Sequence, residues 1–252
     1  MIPILELEQL SAQKISDYGV VHVKLSHYLT PDTFLAIASR LGKPVPFGLK
    51  KYCPEGFPPE VTLIDTLGDG MTAAPRGFGE GWHQDSSFLP DPPAFTVLHA
   101  YDIPSRGGDT LFADTRKALA TLCPSDIQEL RTTTFEHSVH SSYRITSQDV
   151  GLPLEEVRSR LPKTHHPAIM AHPRGGSTLW ISPLYVQTNL QPQTKPLFDR
   201  VLAEILKHQI VHQWSAYDLI LWDNRVVLHA ASAYNGSERR RLIRTVVEDR
   251  SF

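Results

Sequence analysis

The chain has 252 residues, 41% apolar and 21% charged, with a formal net charge of −2. That size suits one large or two small domains, and the absence of a basic tract interleaved with aromatics makes nucleic acid a poor partner. The opening Met1-Ile2-Pro3-Ile4-Leu5-Glu6 meets an acid at once and reads as neither signal peptide nor membrane span, so a cytoplasmic location is expected.

The two cysteines, Cys53 and Cys123, make no disulfide framework and no Cys-x-x-Cys. The 20 prolines suggest strands and turns rather than long helices. Residues 16–25 read as a strand entered through Gly19, with Val20, His22 and Lys24 facing one way and Val21, Val23 and Leu25 the other. Thr30 then caps a helix from Pro31 to Leu41, and Gly42 ends it. Residues 43–60 read as a loop, 61–65 as a short strand, and 68–81 as a long irregular segment of the kind that often carries function.

Residues 94–102 form a strand, 104–109 a turn, and Thr110 restarts a strand. Asp114 caps a helix from Thr115 to Leu122, and Pro124 begins another that runs to Leu130. Residues 131–165 are polar and read as a lid or insertion. Residues 167–172 and 177–181 make a hairpin, and 193–208 a helix. Residues 219–222, 226–229 and 240–248 are the last strands. The sum is roughly eight to ten short strands with peripheral helices, which predicts a mainly β, two-sheet antiparallel sandwich or barrel.

In Trp82-His83-Gln84-Asp85-Ser86, strand periodicity would aim His83 and Asp85 at one face. His229, at the end of a second strand, could close the triangle. Two histidines and one carboxylate suit Fe(II) and leave positions open for substrate and oxygen. Zinc in the same three ligands would be a hydrolytic alternative. The chain has 12 histidines, and the remainder, including His99, His137, His166, His172 and His212, are expected to be structural or exposed. In the last strand Arg240, Leu242 and Arg244 share one face. Buried arginines need anions, so Arg240 and Arg244 look like carboxylate partners inside a cavity.

These stretches, with Gly107-Gly108-Asp109-Thr110 and Leu221-Trp222-Asp223-Asn224-Arg225, resemble the TauD/TfdA-like Fe(II)- and 2-oxoglutarate-dependent dioxygenases over about residues 15–250. The resemblance implies a double-stranded β-helix (a jelly roll, or cupin-like barrel), built as one domain over 1–252. It implies Fe(II) on His83, Asp85 and His229, and 2-oxoglutarate held by Thr110 and Arg240, with O2 as second cosubstrate. Asp223 and Asn224 would set the turn that presents the His229 strand. The implied reaction is hydroxylation of an unactivated C–H bond with release of succinate and CO2; desaturation, epoxidation or C–X cleavage use the same cofactors. Relatives that halogenate lack the carboxylate that Asp85 supplies, so halogenation is disfavoured.

Arg244, fifteen residues after His229, matches the position that meets the acidic group of the prime substrate in taurine-type members. Gly79 stands where those members have asparagine, and residues 47–54 offer no counterpart of their substrate histidine, so taurine itself is not expected. Ala216-Tyr217 replaces the usual Pro-Gly before the strand that starts at Asp218. Lys50, Tyr143 and Arg144, with Lys51 and His137, are candidates to line the substrate entrance. The expected partner is a small-molecule metabolite, of specialised metabolism, with neither nucleic acid nor membrane; a homo-oligomer stays open. A cupin-like metal hydrolase or isomerase, or a non-catalytic ligand-binding jelly roll, would leave Thr110 and Arg240 without work.

Overall fold

The computed structural model describes residues 1–46, 53–66, 79, 81–139, 163–186, 190–233 and 238–249. Ser11 accepts a hydrogen bond from the Lys14 amide and opens helix α1, Ala12–Tyr18; Gly19 closes it and strand β1, Val20–Lys24, follows. The strand expected from residue 16 therefore starts later. Ser16 to Tyr18 are helical because a serine cap and a glycine stop bracket them.

Thr30 caps α2, Pro31–Ala38, as expected, though the helix ends three residues before Leu41. Beyond it β2, Lys43–Val45, occupies the start of the expected loop. A Cβ on Gly42 would lie 1.9 Å from the carbonyl oxygen of Glu248. Only glycine lets the two backbones approach closely enough for β2 to pair there.

The remaining strands are β3, Thr62–Asp65; β4, Phe95–Asp102; β5, Thr110–Asp114; β6, Thr134–Ser138; β7, Lys163–Pro167; β8, Ile169–Ala171; β9, Ser177–Leu179; β10, Gln209–His212; β11, Asp218–Asp223; β12, Val227–Ala231; and β13, Arg241–Glu248. The other helices among the described residues are α3, Thr115–Thr121, α4, Pro124–Leu130, the short α5, Pro183–Val186, and α6, Lys195–Leu206, with a 3-10 turn at Leu7–Gln9. Asp114 caps α3 as its sequence predicts, accepting from the Arg116 amide.

The architecture is mainly β and antiparallel. One sheet runs β1-β11-β4-β13-β2, with β3 also paired to β13; a second runs β10-β5-β12. The β8–β9 hairpin forms where expected. The two ends of the 131–165 stretch are also ordered, because β6 pairs with β7; residues 140–162 lie outside the described residues.

Side-chain alternation along these strands sorts the core into layers. Phe95 and Val97 of β4, Leu219 and Leu221 of β11, and Ile243 and Val247 of β13 pack outward against Ile15, Phe34 and Ile37 of the first two helices. The opposite faces, with Leu98, Ala100, Ile220, Trp222 and Leu242, meet Phe112 and Val227 of the second sheet. Helices α3, α4 and α6 cover the far side of that sheet through Ala118, Leu130, Phe198 and Val201 against Ala113 and Leu228. No helix among the described residues is long and apolar enough to cross a membrane.

One buried polar residue in this frame is committed to the neutral state. His99 accepts from the Leu29 amide through Nε2 at 3.1 Å, and its Nδ1 lies 3.1 Å from the Asp218 carbonyl oxygen. Burial lowers its pKa from 6.5 to about 4. The unfolded chain therefore takes up this proton first. Stability is full above pH 6.5 and is lost as pH falls towards 4, by on the order of 2 kcal/mol at pH 5. Urea unfolding at pH 7 and pH 5 measures this loss. His99→Gln is expected to narrow the gap between the two pH values, and an unchanged gap would remove His99 as its source.

Candidate metal centre and cosubstrate pocket

His229 comes from β12, inside a regular ladder with β5. His83 does not lie in a continuous strand. It forms a single bridge to His229, the two residues exchanging backbone hydrogen bonds of 2.9 Å each way, and the chain then turns. The expected strand periodicity is therefore not what aims Asp85. Its backbone is clamped by Asn224 from the turn between β11 and β12. The Asp85 amide donates to Asn224 Oδ1 at 2.6 Å, while Asn224 Nδ2 donates to the Asp85 carbonyl at 2.9 Å and to that of Pro93 at 2.9 Å.

The result is a buried cluster. His83 Nε2 and His229 Nε2 each lie 3.6 Å from a different oxygen of Asp85, and the three candidate ligand atoms fall within 4.8 Å of one another. A separation of 3.6 Å is too long for a hydrogen bond but close to the roughly 3.0–3.6 Å between donors sharing one ion. His83 Nδ1 sits 2.7 Å from the Gly81 carbonyl, so its N–H points there and Nε2 keeps its lone pair for the centre. Burial and the neighbouring His83 lower the His229 pKa to about 4, which leaves a neutral imidazole. His229 Nδ1 has no hydrogen-bond partner among the described residues.

Two further groups hold the carboxylate. Thr96 on β4 donates to Oδ2 at 2.6 Å, and Arg244 on β13 reaches Oδ1 at 2.5 Å. Burial alone would raise the Asp85 pKa, but Arg244 and the histidines win and hold it well below the ordinary carboxylate range. Two imidazoles and one ionised carboxylate beside a cavity fit an Fe(II) site.

That cavity also contains Thr110 and Arg240. Thr110 opens β5 and accepts from the Trp214 indole N–H at 3.0 Å. Arg240 is buried just ahead of β13, and its Nε donates to the Gly108 carbonyl at 2.8 Å. Gly108 has φ 70°, and a Cβ there would fall 2.9 Å from Arg240 Cδ, so glycine both permits the turn and leaves room for the arginine. Ile64, Leu98, Leu184 and Tyr185 also line the cavity.

Of the entrance candidates, Lys50, Lys51, Tyr143 and Arg144 lie outside the described residues. His137 is fully buried on β6, its Nδ1 2.9 Å from Ser87 Oγ, so it supports the turn after Asp85 and does not face an entrance. Thr96 and Trp214 escaped the sequence reading. Neither belongs to a recognisable spacing: Thr96 acts on Asp85 in the turn before β4, and Trp214 on Thr110 of the distant β5.

The chain matches the model of the "Taurine catabolism dioxygenase TauD, TfdA family" over residues 5–246. It belongs to the TauD/TfdA family. That is a family of 2-oxoglutarate-dependent dioxygenases that use Fe(II) and O2. An α-ketoglutarate-dependent 2,4-dichlorophenoxyacetate dioxygenase of Cupriavidus pinatubonensis is 33% identical over 177 residues, which is 67% of this chain and 60% of that protein. Pentalenolactone F synthase of Streptomyces arenae is 31% identical over 234 residues, covering 86% of this chain and 77% of that one. In fold, the chain is similar to AAD-2 in complex with Mn(II) and N-oxalylglycine, at a TM-score of 0.81 and 22% identity over 98% of this chain and 94% of that one. A putative α-ketoglutarate-dependent taurine dioxygenase from Burkholderia xenovorans gives 0.75 and 21% over 99% and 90%.

The Asn224 clamp makes a measurable demand. Asn224→Ala frees the Asp85 backbone, and Thr96→Val releases one carboxylate oxygen. Each is expected to weaken Fe(II) or Mn(II) binding by about 10–100-fold, the range for groups that orient metal ligands. Anaerobic titration of the apoprotein reads this directly. Unchanged affinity in both variants would mean that the three ligands hold their own geometry.

Proposed function

We propose that this chain is an Fe(II)- and 2-oxoglutarate-dependent oxygenase that hydroxylates an unactivated C–H bond of a small organic metabolite. His83, Asp85 and His229 are read as the iron ligands, Thr110 and Arg240 as the anchor for the distal carboxylate of 2-oxoglutarate, and the whole of 1–252 as one double-stranded β-helix domain. The observation that carries this reading is the convergence, in one cavity, of a two-histidine, one-carboxylate cluster with a buried arginine and threonine. A metal hydrolase would use the cluster alone and give the second pair nothing to hold.

His83, Asp85 and His229 would hold Fe(II), which when bound would supply O2 activation coupled to decarboxylation of 2-oxoglutarate, one oxygen atom going to succinate and the other to the substrate. The protein's own part is ligation and positioning. Asn224 and Thr96 fix the carboxylate, and the Gly108 carbonyl aims the Arg240 guanidinium into the cavity. Ile64, Leu98 and Tyr185 exclude water from the metal's neighbourhood.

The two arginines among the described cavity residues, Arg240 and Arg244, support a substrate with an acidic group. Arg244, which already touches Asp85, is read as the group that meets it. The named relatives, acting on 2,4-dichlorophenoxyacetate and in pentalenolactone F synthesis, support a small organic molecule in the same place.

The test is a substrate screen with Fe(II), ascorbate and 2-oxoglutarate under air, following succinate and substrate mass together. A gain of about 16 mass units coupled to succinate is expected, and a loss of about 2 would move the reading to desaturation. Failure to bind 2-oxoglutarate anaerobically would overturn the proposal altogether. Arg240→Gln is expected to raise the KM for 2-oxoglutarate about 10–100-fold while changing kcat at saturation much less, since it removes binding made equally in ground and transition states. Gly108→Ala, which crowds Arg240, is expected to raise the same constant about tenfold, and the prime substrate's KM far less.

A further inference from the structure

A second cluster of two histidines and one aspartate lies outside this cavity. His22 Nε2 is 2.8 Å from Asp218 Oδ1, and His212 Nε2 is 3.1 Å from Asp218 Oδ2. Their candidate ligand atoms also fall within 4.8 Å of one another. Asp218 and His212 are buried, while the His22 side chain keeps 12% of its surface exposed.

The cluster lies where the two sheets meet. His22 comes from β1, the edge strand of the larger sheet, and Asp218 from its neighbour β11. His212 comes from β10, the edge strand of the smaller sheet. In both edge strands the histidine shares its face with a residue of the inner core, Val20 in β1 and Ile210 in β10. The seam between the sheets is therefore crossed by one shared carboxylate.

We propose that His22, His212 and Asp218 form a second divalent-metal site, suited to a borderline cation such as Zn(II), that clips the two sheets together. Donors about 2.0–2.2 Å from one zinc ion sit roughly 3.0–3.5 Å apart, so the observed 2.8 and 3.1 Å need only a few tenths of an ångström of opening. Both imidazoles turn Nε2 to the carboxylate, so the three candidate donors are already gathered in one place. The Ser215 amide donates to Asp218 Oδ2 at 2.7 Å and holds the carboxylate in place as a second-layer partner does. The two histidines and the carboxylate supply three ligands, and the exposed side at His22 gives the ion its way in and a water as fourth ligand.

The competing arrangement is one in which both imidazoles remain hydrogen-bond donors to Asp218 and bind nothing. The two differ in stoichiometry. Zinc titration of the full-length apoprotein, followed by calorimetry, is expected to show two equivalents per chain in the wild type. His22→Asn with His212→Asn should lose one equivalent and keep the other; His83→Ala with Asp85→Ala should lose the opposite one. Co(II) loaded into the latter variant should give the visible absorption of a low-symmetry nitrogen–oxygen site. The single change His22→Asn, on a partly exposed edge strand, keeps the fold testable and should weaken the second equivalent by at least about tenfold. One equivalent in the wild type overturns the proposal, as does a second equivalent that survives in the His22/His212 variant. Neither outcome bears on the oxygenase reading, which depends on the other cluster.

Discussion

The contact between Asn224 and Asp85 is the constraint on which the rest of this site depends. Asp85 is ionised and buried, yet it lies in a turn with no ladder to hold it. Its one regular anchor is two residues away, at the His83–His229 bridge. A single carboxamide closes the gap by satisfying both the amide and the carbonyl of Asp85. Buried backbone groups left unpaired would cost about 1–3 kcal/mol each, so the same two bonds that aim the ligand also make the turn affordable.

Asn224 is itself held by a charged neighbourhood. Asp223 accepts from Ser16 at 2.6 Å, from His172 at 3.0 Å and from Arg225 through both carboxylate oxygens. Arg225 extends to Asp249 at 3.1 Å. Burial opposes the Asp223 charge, but these partners outweigh it and hold the carboxyl below its ordinary range. A buried charge set of this kind is worth little as net stability, because desolvation consumes the Coulomb gain. Its value here is geometric: a turn with two side chains locked on one side presents the third, Asn224, in one direction.

The sequence was enough to nominate His83, Asp85, His229, Thr110 and Arg240, and these residues line one cavity. It also carried the alternation of β13, where Arg240 and Arg244 share the cavity while Ile243 packs outward. What it hid were relations between distant segments. His83-x-Asp85 looked like a strand because period two is the simplest way to align two side chains; a bridge and an asparagine clamp achieve the same end from 139 residues away. Helix α1 was hidden by the polar Ser16-Asp17 pair beside a strongly β-like run, where local propensity favours extending the strand. Strand β2 was hidden because it exists only through the close approach of Gly42 to Glu248. Of the residues nominated for the substrate side, Arg244 reaches the cavity, while Lys50, Tyr143 and Arg144 lie outside the described residues.

The inner face of the two sheets gathers nearly all of this chemistry, and one path across it joins the site to the seam. Thr110 sits opposite His212 on one side and Ala231 on the other, at the end of the middle strand of the smaller sheet. The Trp214 indole, packed edge-on against His212 with ring centres 4.7 Å apart, donates to the Thr110 hydroxyl. The indole N–H of Trp214 occupies one lone pair of the Thr110 hydroxyl, which leaves the hydroxyl proton to point elsewhere, and His212 packs against the same indole. His212 in turn is fixed by Asp218, whose other oxygen holds His22 and whose backbone carbonyl faces His99. A chain of contacts thus runs from the Thr110 hydroxyl, at the cavity, to His22 at the edge of the larger sheet.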